Sequence, residues 1–477
     1  MPTGQRAFIK TKVMNKKTKK NSKQMGTVAM PLVNPNAAGI DVGSTMHAVA
    51  VPAGRDNECI KIFGSFTEDL KEIIKWLIKC GIETVAMEST GVYWKPLFNM
   101  LIQHGFEAYL VNSKHTRNVT GRKNDESDAA WIQRLHSCGL LKSSFLPDDH
   151  QETLRTLVRH RRTLINDSSR HILRMQKALE LMNVKIHIVI NDITGKTGTA
   201  IIEKIIAGQR EAEDFISCID SRIKADHQTI LKSLKGNWRS EHLFTLKQSF
   251  DIYKYLQQQI TVCEKEIEQV LQQYIAIQNE GIIQEATAMQ KAADNDSKKN
   301  YKRKRKTKNQ PLYNTRKYLH HIHGVDVMAI YGLSETSGLE ILAETGTDLK
   351  KKWPTDKNFV SWLNLCSNNK ISGGKLISST VLKLKPNLAA QAFRQAANGV
   401  KKSNNWLGEY FRRLKTRGGH KHAIVATAHK IATIYYKMVT EKTEFCPVPL
   451  NEYQQKYNKA KIAWFEKKLA ELKRQVA

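Results

Sequence analysis

The sequence lacks the features of secreted and membrane proteins. Its seven cysteines are scattered, odd in number and never in a Cys-x-x-Cys pair, so neither a disulfide framework nor a structural zinc site is predicted. No apolar run approaches the roughly 18–20 residues of a membrane-spanning helix, and the lysine-rich start lacks the apolar core of a signal peptide. We therefore expect an intracellular protein.

Acidic residues are also scarce, with 45 Asp and Glu against 76 Lys and Arg. The formal net charge of +31 indicates a polyanionic partner, and nucleic acid fits better than a membrane surface in a chain without a spanning segment. Two stretches are strongly basic. Residues 1–36 contain eight Lys or Arg and predict a disordered arm, and eight of the eleven residues in 298–308 are basic, which is typical of flexible nucleic-acid contacts and also of nuclear localisation signals.

The stretch that begins at Ala37 predicts an α/β domain. Short apolar runs rich in β-branched residues alternate with amphipathic segments, which favours a mixed sheet with helices packed on it. An RNase H-like, or RuvC-like, domain has this order of elements. The predicted elements are strands at 39–51, 59–66, 83–88 and 107–111, and helices at 67–80 and 92–104.

Four acidic residues in this domain suggest a metal site. Asp41 lies in the first predicted strand, and Glu88 closes a later one. Asp125 and Asp128 lie three residues apart in GRKNDESDAAWIQRL, which predicts a helix that carries both carboxylates on one face. Carboxylate oxygens converging from different elements are the ligands that hard divalent cations prefer, so we predict a site for Mg²⁺ or Mn²⁺ of the two-metal phosphodiester type.

The motif GIDVGST offers a rival interpretation, because it also looks like the first phosphate loop of actin-like ATPases and sugar kinases. Such proteins need a second glycine-rich loop. The nearest candidate, NDITGKTGT at 191–199, lacks the earlier glycine of a P-loop at Ile190. The rival also leaves Asp125 and Asp128 without a role, so we favour the metal site.

Two long helices are predicted after this domain, at 150–183 and 241–274. The second has apolar residues at spacings near 3.5, interrupted by Gln257 and Glu264, which favours coiled-coil packing within the chain or between protomers. A dimer or tetramer is one hypothesis from this pattern.

Basic residues near the acids, on the first long helix and in the C-terminal region are candidates for phosphate contacts, although a solvated basic surface has the same composition. The predicted nucleic-acid-binding residues are Arg122, Lys123, Arg155, Arg159, Arg162, Arg170, Arg174, Lys375, Arg412 and Arg413.

Ser372 is a candidate nucleophile. It lies in ISGGK, where two glycines let the backbone approach a phosphate closely and Lys375 supplies positive charge. Ser-Gly sequences are also common in simple turns.

Together these motifs resemble one family, the DEDD transposases of bacterial insertion sequences, which are bridge-RNA-guided recombinases. The resemblance runs nearly end to end. The matching segments, in order, are GIDVGS, MESTGVYW, GRKNDESDAAWIQRL, NDITGKTGTAIIEKIIAGQRE, GNWRSEHLF, WPTDKNFVSWLNLCSNNKISGGK and ATAHKIATIYYKMV.

The resemblance implies a DNA recombinase that cuts and exchanges strands. The family's four metal-binding acids fall on Asp41, Glu88, Asp125 and Asp128, and its nucleophilic serine falls on Ser372. It implies double-stranded donor and target DNA and a non-coding guide RNA as partners, with a cytoplasmic, nucleoid-associated location. The basic arm and the 298–308 run depart from the family. A RuvC-type nuclease that uses water in place of serine is the alternative.

The predicted organisation combines an α/β domain with helical regions. It consists of a basic arm (1–36), a RuvC-like catalytic domain (37–148), a helical coiled-coil spacer (149–291), a basic linker (292–312) and a mainly helical transposase domain (313–477). Ser372 is far from the acids along the chain, which leaves open whether one protomer or two complete the site.

Overall fold

The computed structural model describes residues 31–89, 91–112, 127–144, 147–283, 308–381 and 387–476. The chain divides into two compact units, Met1–Leu146 and Pro147–Ala477, each of which is described by itself. The bounds of the five predicted segments stay predictions. No helix in the described ranges is long and apolar enough to cross a membrane.

The first unit contains a mixed five-stranded sheet in the order β3-β2-β1-β4-β5. β1, β2 and β3 are antiparallel neighbours, whereas β4 and β5 join β1 in parallel. This arrangement confirms the predicted mixed sheet and is compatible with an RNase H-like α/β domain. Its elements are β1 (Ala37–Val42), β2 (Met46–Ala50), β3 (Ile60–Gly64), α1 (Thr67–Lys79), β4 (Thr84–Glu88), α2 (Trp94–Gln103), β5 (Glu107–Val111) and α3 (Asp128–Ser137).

The single strand predicted at 39–51 is wrong. The chain turns between β1 and β2, where the Gly43 N–H donates to the Met46 carbonyl at 3.0 Å, and the two halves pair as a hairpin. An apolar run of this kind does not show where the chain reverses direction.

The two faces of the sheet are covered by different helices because successive residues of a strand point to opposite faces. Ile40 and Met87 belong to the core shared with α1 and α2. Ala86 belongs to a second cluster with Trp131 and Ile132 of α3. The face on the α3 side is the one that bears the candidate site.

Gly39 lets α3 lie against β1. A Cβ atom at this position would be 2.2 Å from the Gln133 nitrogen and 2.4 Å from the Ala129 carbonyl oxygen, both of which are backbone atoms of α3. Only glycine permits this approach, so the distance between α3 and β1 depends on the absence of a side chain at Gly39.

His136 is buried where α3 meets β4. Its Nε2 lies 2.8 Å from Thr84 Oγ1, and that hydroxyl donates to the Glu107 carbonyl at 3.0 Å. Because the hydroxyl proton is used there, we assign the proton on the ring to Nε2. Burial lowers the pKa of His136 to about 4.

This histidine should make the first unit sensitive to acid. The folded-state pKa lies below the ordinary value near 6.5, so between pH 6.5 and pH 4 the unfolded chain binds a proton that the folded chain does not. The free energy of unfolding should therefore fall as the pH falls, by up to about 1.4 kcal/mol per pH unit. Hydrogen exchange of β4 amides, measured by mass spectrometry between pH 7 and pH 5 and corrected for intrinsic exchange rates, reports this loss.

The substitution His136→Gln should remove that part of the pH dependence, and His104→Gln, at the exposed end of α2, is the matched control. An unchanged slope in the His136→Gln protein would contradict the assignment. In both variants, the remaining pH dependence of the free energy of unfolding includes a contribution from the buried His47, because burial also lowers the pKa of that histidine.

The described part of the second unit is largely helical, as predicted, and it contains a β-hairpin that was not predicted from the sequence. Its elements are α4 (Asp149–Leu181), α5 (Ile186–Val189), α6 (Lys196–Ile206), α7 (His227–Leu234), α8 (Ser240–Ile283), α9 (Thr315–His323), α10 (Glu335–Thr345), α11 (Leu349–Lys352), α12 (Asp356–Trp362), β6 (Ser367–Ser372), β7 (Lys375–Val381), α13 (Leu388–Val400), α14 (Trp406–Glu441) and α15 (Leu450–Val476).

The helices α4 and α8 confirm the two long predicted helices and pack against each other in antiparallel directions. The Cys263 thiol lies beside the Leu157 carbonyl, and the Gln257 side chain donates a hydrogen bond to Ser168. Residue numbers therefore increase along α8 in the direction in which they decrease along α4. The apolar stripe of α8 is buried within the chain. Coiled-coil geometry and an oligomer contact through α8 stay predictions.

Both polar interruptions of the α8 pattern have a partner in this packing. The Gln257 side chain donates a hydrogen bond of 2.8 Å to the Ser168 hydroxyl, and the Glu264 carboxylate accepts one of 2.6 Å from the Arg161 guanidinium. Arg161 and Glu264 are almost completely buried, with 3% and 4% of their side chains exposed. The interruptions are therefore a polar layer inside the α4–α8 interface.

Candidate active site

Asp41 and Glu88 lie at neighbouring positions on parallel strands. The register of β1 and β4 pairs Gly39 with Ala86 and Ile40 with Met87, and one further step brings Asp41 beside Glu88. Residues in register on parallel strands project from the same face. That face is the one under α3, because Gly39 lies there two residues before Asp41. Both acids are half-buried.

Asp128 is the first residue of α3, and the direction of α3 brings it to the same edge of the sheet. The Ser137 carbonyl, at the far end of α3, accepts the Val33 and Asn34 N–H groups, which precede β1. The Gln133 side chain donates to the Ala37 carbonyl at 3.2 Å. The helix thus runs antiparallel to β1, from the Asp41 end to the start of the strand.

The start of α3 favours a negative charge. Ser127 is the N-cap, and its hydroxyl accepts from the Ala130 N–H at 3.2 Å. The uncompensated N–H groups of a first helical turn stabilise a nearby carboxylate, such as that of Asp128. Strand ends and a helix start are thus the elements that present the three described acids.

The helix that carries Asp128 begins later than predicted, and the prediction that Asp125 shares a face with Asp128 falls on a residue outside the described ranges. Ser127 has extended backbone angles, with φ −62° and ψ 153°, and the helix begins only at Asp128. A serine before a helical run is an N-cap signal, which outweighed the periodicity here. Asp125 itself lies outside the described residues, as do Arg122 and Lys123.

The donor set fits a divalent metal ion in its chemistry. Asp41, Glu88 and Asp128 offer carboxylate oxygens from three separate elements, which is the donor type that hard cations take. Among the residues that the structure describes, no three His, Cys, Asp or Glu side chains are grouped to hold a metal. The fourth acid of the predicted set is Asp125, which those residues do not include.

Ser372 lies at the tip of the hairpin β6–β7 in the second unit. It pairs with Lys375 across a two-residue turn, in which Gly373 and Gly374 have φ of 55° and 74°. Two consecutive left-handed residues are the requirement of the commonest tight hairpin turn, and a Gly-Gly pair supplies it. Ser372 and Lys375 are exposed. The Gly-Gly pair between two short β-compatible runs was the signal that would have predicted this hairpin.

Three of the predicted nucleic-acid-binding arginines on α4 form ion pairs with buried glutamates. Arg155 and Arg159 donate to Glu344 at 3.0 and 2.8 Å, and Arg162 donates to Glu340 at 3.0 Å. Burial raises the pKa of Glu340, and Arg162 opposes that shift. These pairs follow from the burial of the two carboxylates, because buried carboxylates need neighbouring cations. Phosphate binding by these arginines stays a prediction.

The other predicted contacts differ in their surroundings. Arg170 and Arg174 are exposed on α4, and Arg170 pairs with Asp167 one turn away at 2.7 Å. Arg412 donates to the Ser403 carbonyl at 3.0 Å and also pairs with Glu409. The Arg413 guanidinium stacks on the Tyr457 ring at 4.0 Å. Lys375 is at the hairpin tip beside Ser372.

The segment 191–199 does not have the surroundings of a P-loop. It follows the short helix α5 and leads into α6, whereas a P-loop follows a strand. Residues of this segment line a pocket of about 640 Å³. One of them, Asp192, accepts a hydrogen bond of 2.9 Å from the Lys308 ammonium group. Segment 191–199 is therefore not the second phosphate loop that the rival interpretation requires.

Part of the chain matches a known protein family. Residues 38–184 match the family model DEDD Tnp IS110, which is described as a transposase. The match spans all four predicted acids and ends before Ser372. A search of the curated proteins found no match.

Proposed function

This chain is a transposase of the IS110-type DEDD family, and from that premise we propose that it exchanges DNA strands through a carboxylate-held metal site and a serine nucleophile. The observation that carries the proposal is that Asp41 and Glu88 lie at neighbouring positions on β1 and β4, and that α3 begins with Asp128 towards the same edge of the sheet. Asp125, three residues before Asp128, is proposed as the fourth acid. The proposed ions are Mg²⁺ or Mn²⁺.

The carboxylates of Asp41, Glu88, Asp125 and Asp128 would hold the ions at the end of β1 and β4. Divalent cations bound there would neutralise charge on the scissile phosphate and favour a deprotonated nucleophile. The half-burial of Asp41 and Glu88 keeps their oxygens oriented by the strands that carry them.

Ser372 is proposed to attack the phosphorus of the scissile phosphodiester. The Ser372 Oγ–P bond forms, the bond from phosphorus to a deoxyribose oxygen breaks, and the hydroxyl proton passes to solvent or a nearby base while the released sugar oxygen gains one. Attack by a hydroxyl of the exchanged strand on the phosphoserine reverses these steps and rejoins DNA without ATP. The exposed hairpin tip supports this role, because a nucleophile must reach a phosphate.

A guide RNA is proposed to select the donor and target DNA. The support is the resemblance to the bridge-RNA-guided recombinases and the net charge of +31, which suits several polyanions at once. Base pairing would read sequence while the protein binds shape and phosphates. Of the basic residues predicted from sequence, Arg159, Arg170, Arg174 and Lys375 are exposed, and the last three are not paired with a buried carboxylate. A non-coding segment beside the gene that pairs with both DNA partners would support the proposal.

The serine can be tested with one substitution. We expect Ser372→Ala to abolish strand exchange and the covalent protein–DNA complex, because the attacking oxygen is missing. The complex is detected as a protein band that retains labelled DNA in a denaturing gel. The fold should survive, since the hairpin tip is exposed.

Ser378→Ala, on the other strand of the same hairpin, is the matched control and should retain both activities. The alternative function, a RuvC-type nuclease that uses water, gives the opposite result. In that case the Ser372→Ala protein would still cut DNA at the normal rate, with no covalent complex in either protein.

A further inference from the structure

The C-terminal helix α15 is covered by the rest of the second unit only at its beginning. Tyr453 packs on Trp406 with ring centroids 5.9 Å apart, and Arg413 stacks on Tyr457. All residues from 454 to 475 are exposed. Most helices in proteins are stabilised by packing of one face rather than by helix propensity alone, so a long exposed helix suggests a missing partner.

The exposed part of α15 carries an apolar stripe, defined here as Ile462, Phe465, Leu469 and Leu472. Between 51% and 58% of each side chain is accessible. Their spacings of three, four and three residues are those of the a and d positions of a coiled coil, which place them along one side of a helix. The stripe is therefore shaped to pack against another helix.

Charged and polar residues lie on both flanks of the stripe. Glu466 and Lys473 occupy the positions that follow Phe465 and Leu472, on one flank of the stripe. Lys468 and Gln475 precede Leu469 and Val476 on the other flank. Flanking residues of this kind set partner choice and orientation in coiled coils.

We propose that α15 pairs with α15 of a second protomer in antiparallel orientation, about a two-fold axis between Ala470 and Glu471. Leu469 then packs against the partner's Leu472, and Glu466 lies opposite the partner's Lys473. Each pair occurs twice, as a two-fold contact requires.

The opposite orientation is less favourable. In a parallel pair, Lys461 would meet the partner's Glu466, but Lys468 would meet the partner's Lys473, and like charges would face each other twice. In the antiparallel pair, Lys468 faces the partner's Gln475, so no like charges are opposed. The charge pattern thus favours self-association and also selects its direction.

The contact is small compared with the roughly 1,200–2,000 Å² of a stable interface, so a reversible dimer at micromolar concentration is expected. Sedimentation of the full chain without nucleic acid, over about 1–100 μM, measures it. Leu469→Glu, in the stripe, should weaken dimerisation at least about a hundredfold. Ala463→Glu adds the same charge on α15 off the stripe and should dimerise like the original.

Charge reversal distinguishes the orientations. Glu466→Lys or Lys473→Glu alone should each weaken an antiparallel dimer at least a few-fold, because like charges then face each other twice, and the double variant should recover the original affinity. In a parallel dimer, Lys473→Glu would instead tighten association, because Lys468 would gain an opposite charge.

Three results would overturn the proposal. They are a monomer at every concentration, a dimer whose affinity Leu469→Glu leaves unchanged, and tighter association of Lys473→Glu. If Leu469→Glu weakened binding of duplex DNA while the protein mass stayed the same, α15 would be a nucleic-acid contact instead. These measurements involve no strand exchange, so they succeed or fail independently of the proposed function.

Discussion

Glu88→Gln protein is expected to bind DNA but to cut it at least about a thousandfold more slowly than the original. The carboxylate of Glu88 stands beside Asp41 on the α3 face, and the amide that replaces it has the same shape but no charge. Metal-assisted stabilisation of a phosphoryl transition state contributes several kcal/mol, and about 1.36 kcal/mol corresponds to a factor of ten in rate. The rate is measured on labelled donor DNA with Mg²⁺ present, under single-turnover conditions.

Glu83→Gln is the matched control for this prediction. Glu83 is exposed and immediately precedes β4, so it lies at the opposite end of the strand that carries Glu88. Its substitution should leave the cleavage rate within about twofold, since it removes one surface carboxylate away from the acids. Normal cleavage by the Glu88→Gln protein would exclude the sheet edge as the active site.

Arg161→Met is expected to destabilise the second unit by roughly 3–5 kcal/mol. Arg161 donates two hydrogen bonds to Glu264 inside the α4–α8 interface, and also one to the Asn309 carbonyl. Removing the guanidinium leaves the Glu264 carboxylate buried with the Leu312 N–H as a hydrogen-bond donor but without its cation. The urea midpoint of the helical circular dichroism signal, which the second unit dominates, measures the loss.

Two further variants separate this effect from a general loss of charge. Arg170→Met removes an exposed arginine from the same helix, where the pair with Asp167 contributes less than about 1 kcal/mol. Replacing both buried partners, as in Arg161→Met with Glu264→Leu, should recover most of the stability, because no uncompensated charge remains. A single variant as stable as the original would show that water reaches the carboxylate.

The sequence predicted the sheet and the positions of the strand acids well, because those features depend on local patterns. Alternating apolar residues place Asp41 and Glu88 at the ends of buried strands, whatever the rest of the chain does. It predicted α3 less well. Periodicity extended the helix to Asp125, whereas the N-cap geometry of Ser127 starts it at Asp128.

Tertiary partners were the features that local patterns could not reveal. The ion pairs of the α4 arginines could not be predicted from residue spacing, because Glu340 and Glu344 are almost 200 residues away in sequence and their burial is visible only in the fold. Likewise, the polar interruptions of α8 looked like defects in a heptad until Arg161 and Ser168 were seen opposite them. Long-range pairing of this kind is set by packing and not by residue spacing.

Gly39 has a consequence that reaches beyond packing. A single methyl group there would lift α3 from the sheet, and Asp128 would rise with it, while Asp41 and Glu88 stayed in place on their strands. The position of the Asp128 carboxylate relative to those of Asp41 and Glu88 therefore depends on the absence of a Cβ atom at Gly39. A mutation at a residue with no side chain to bind metal or DNA would in this way misalign the three acids.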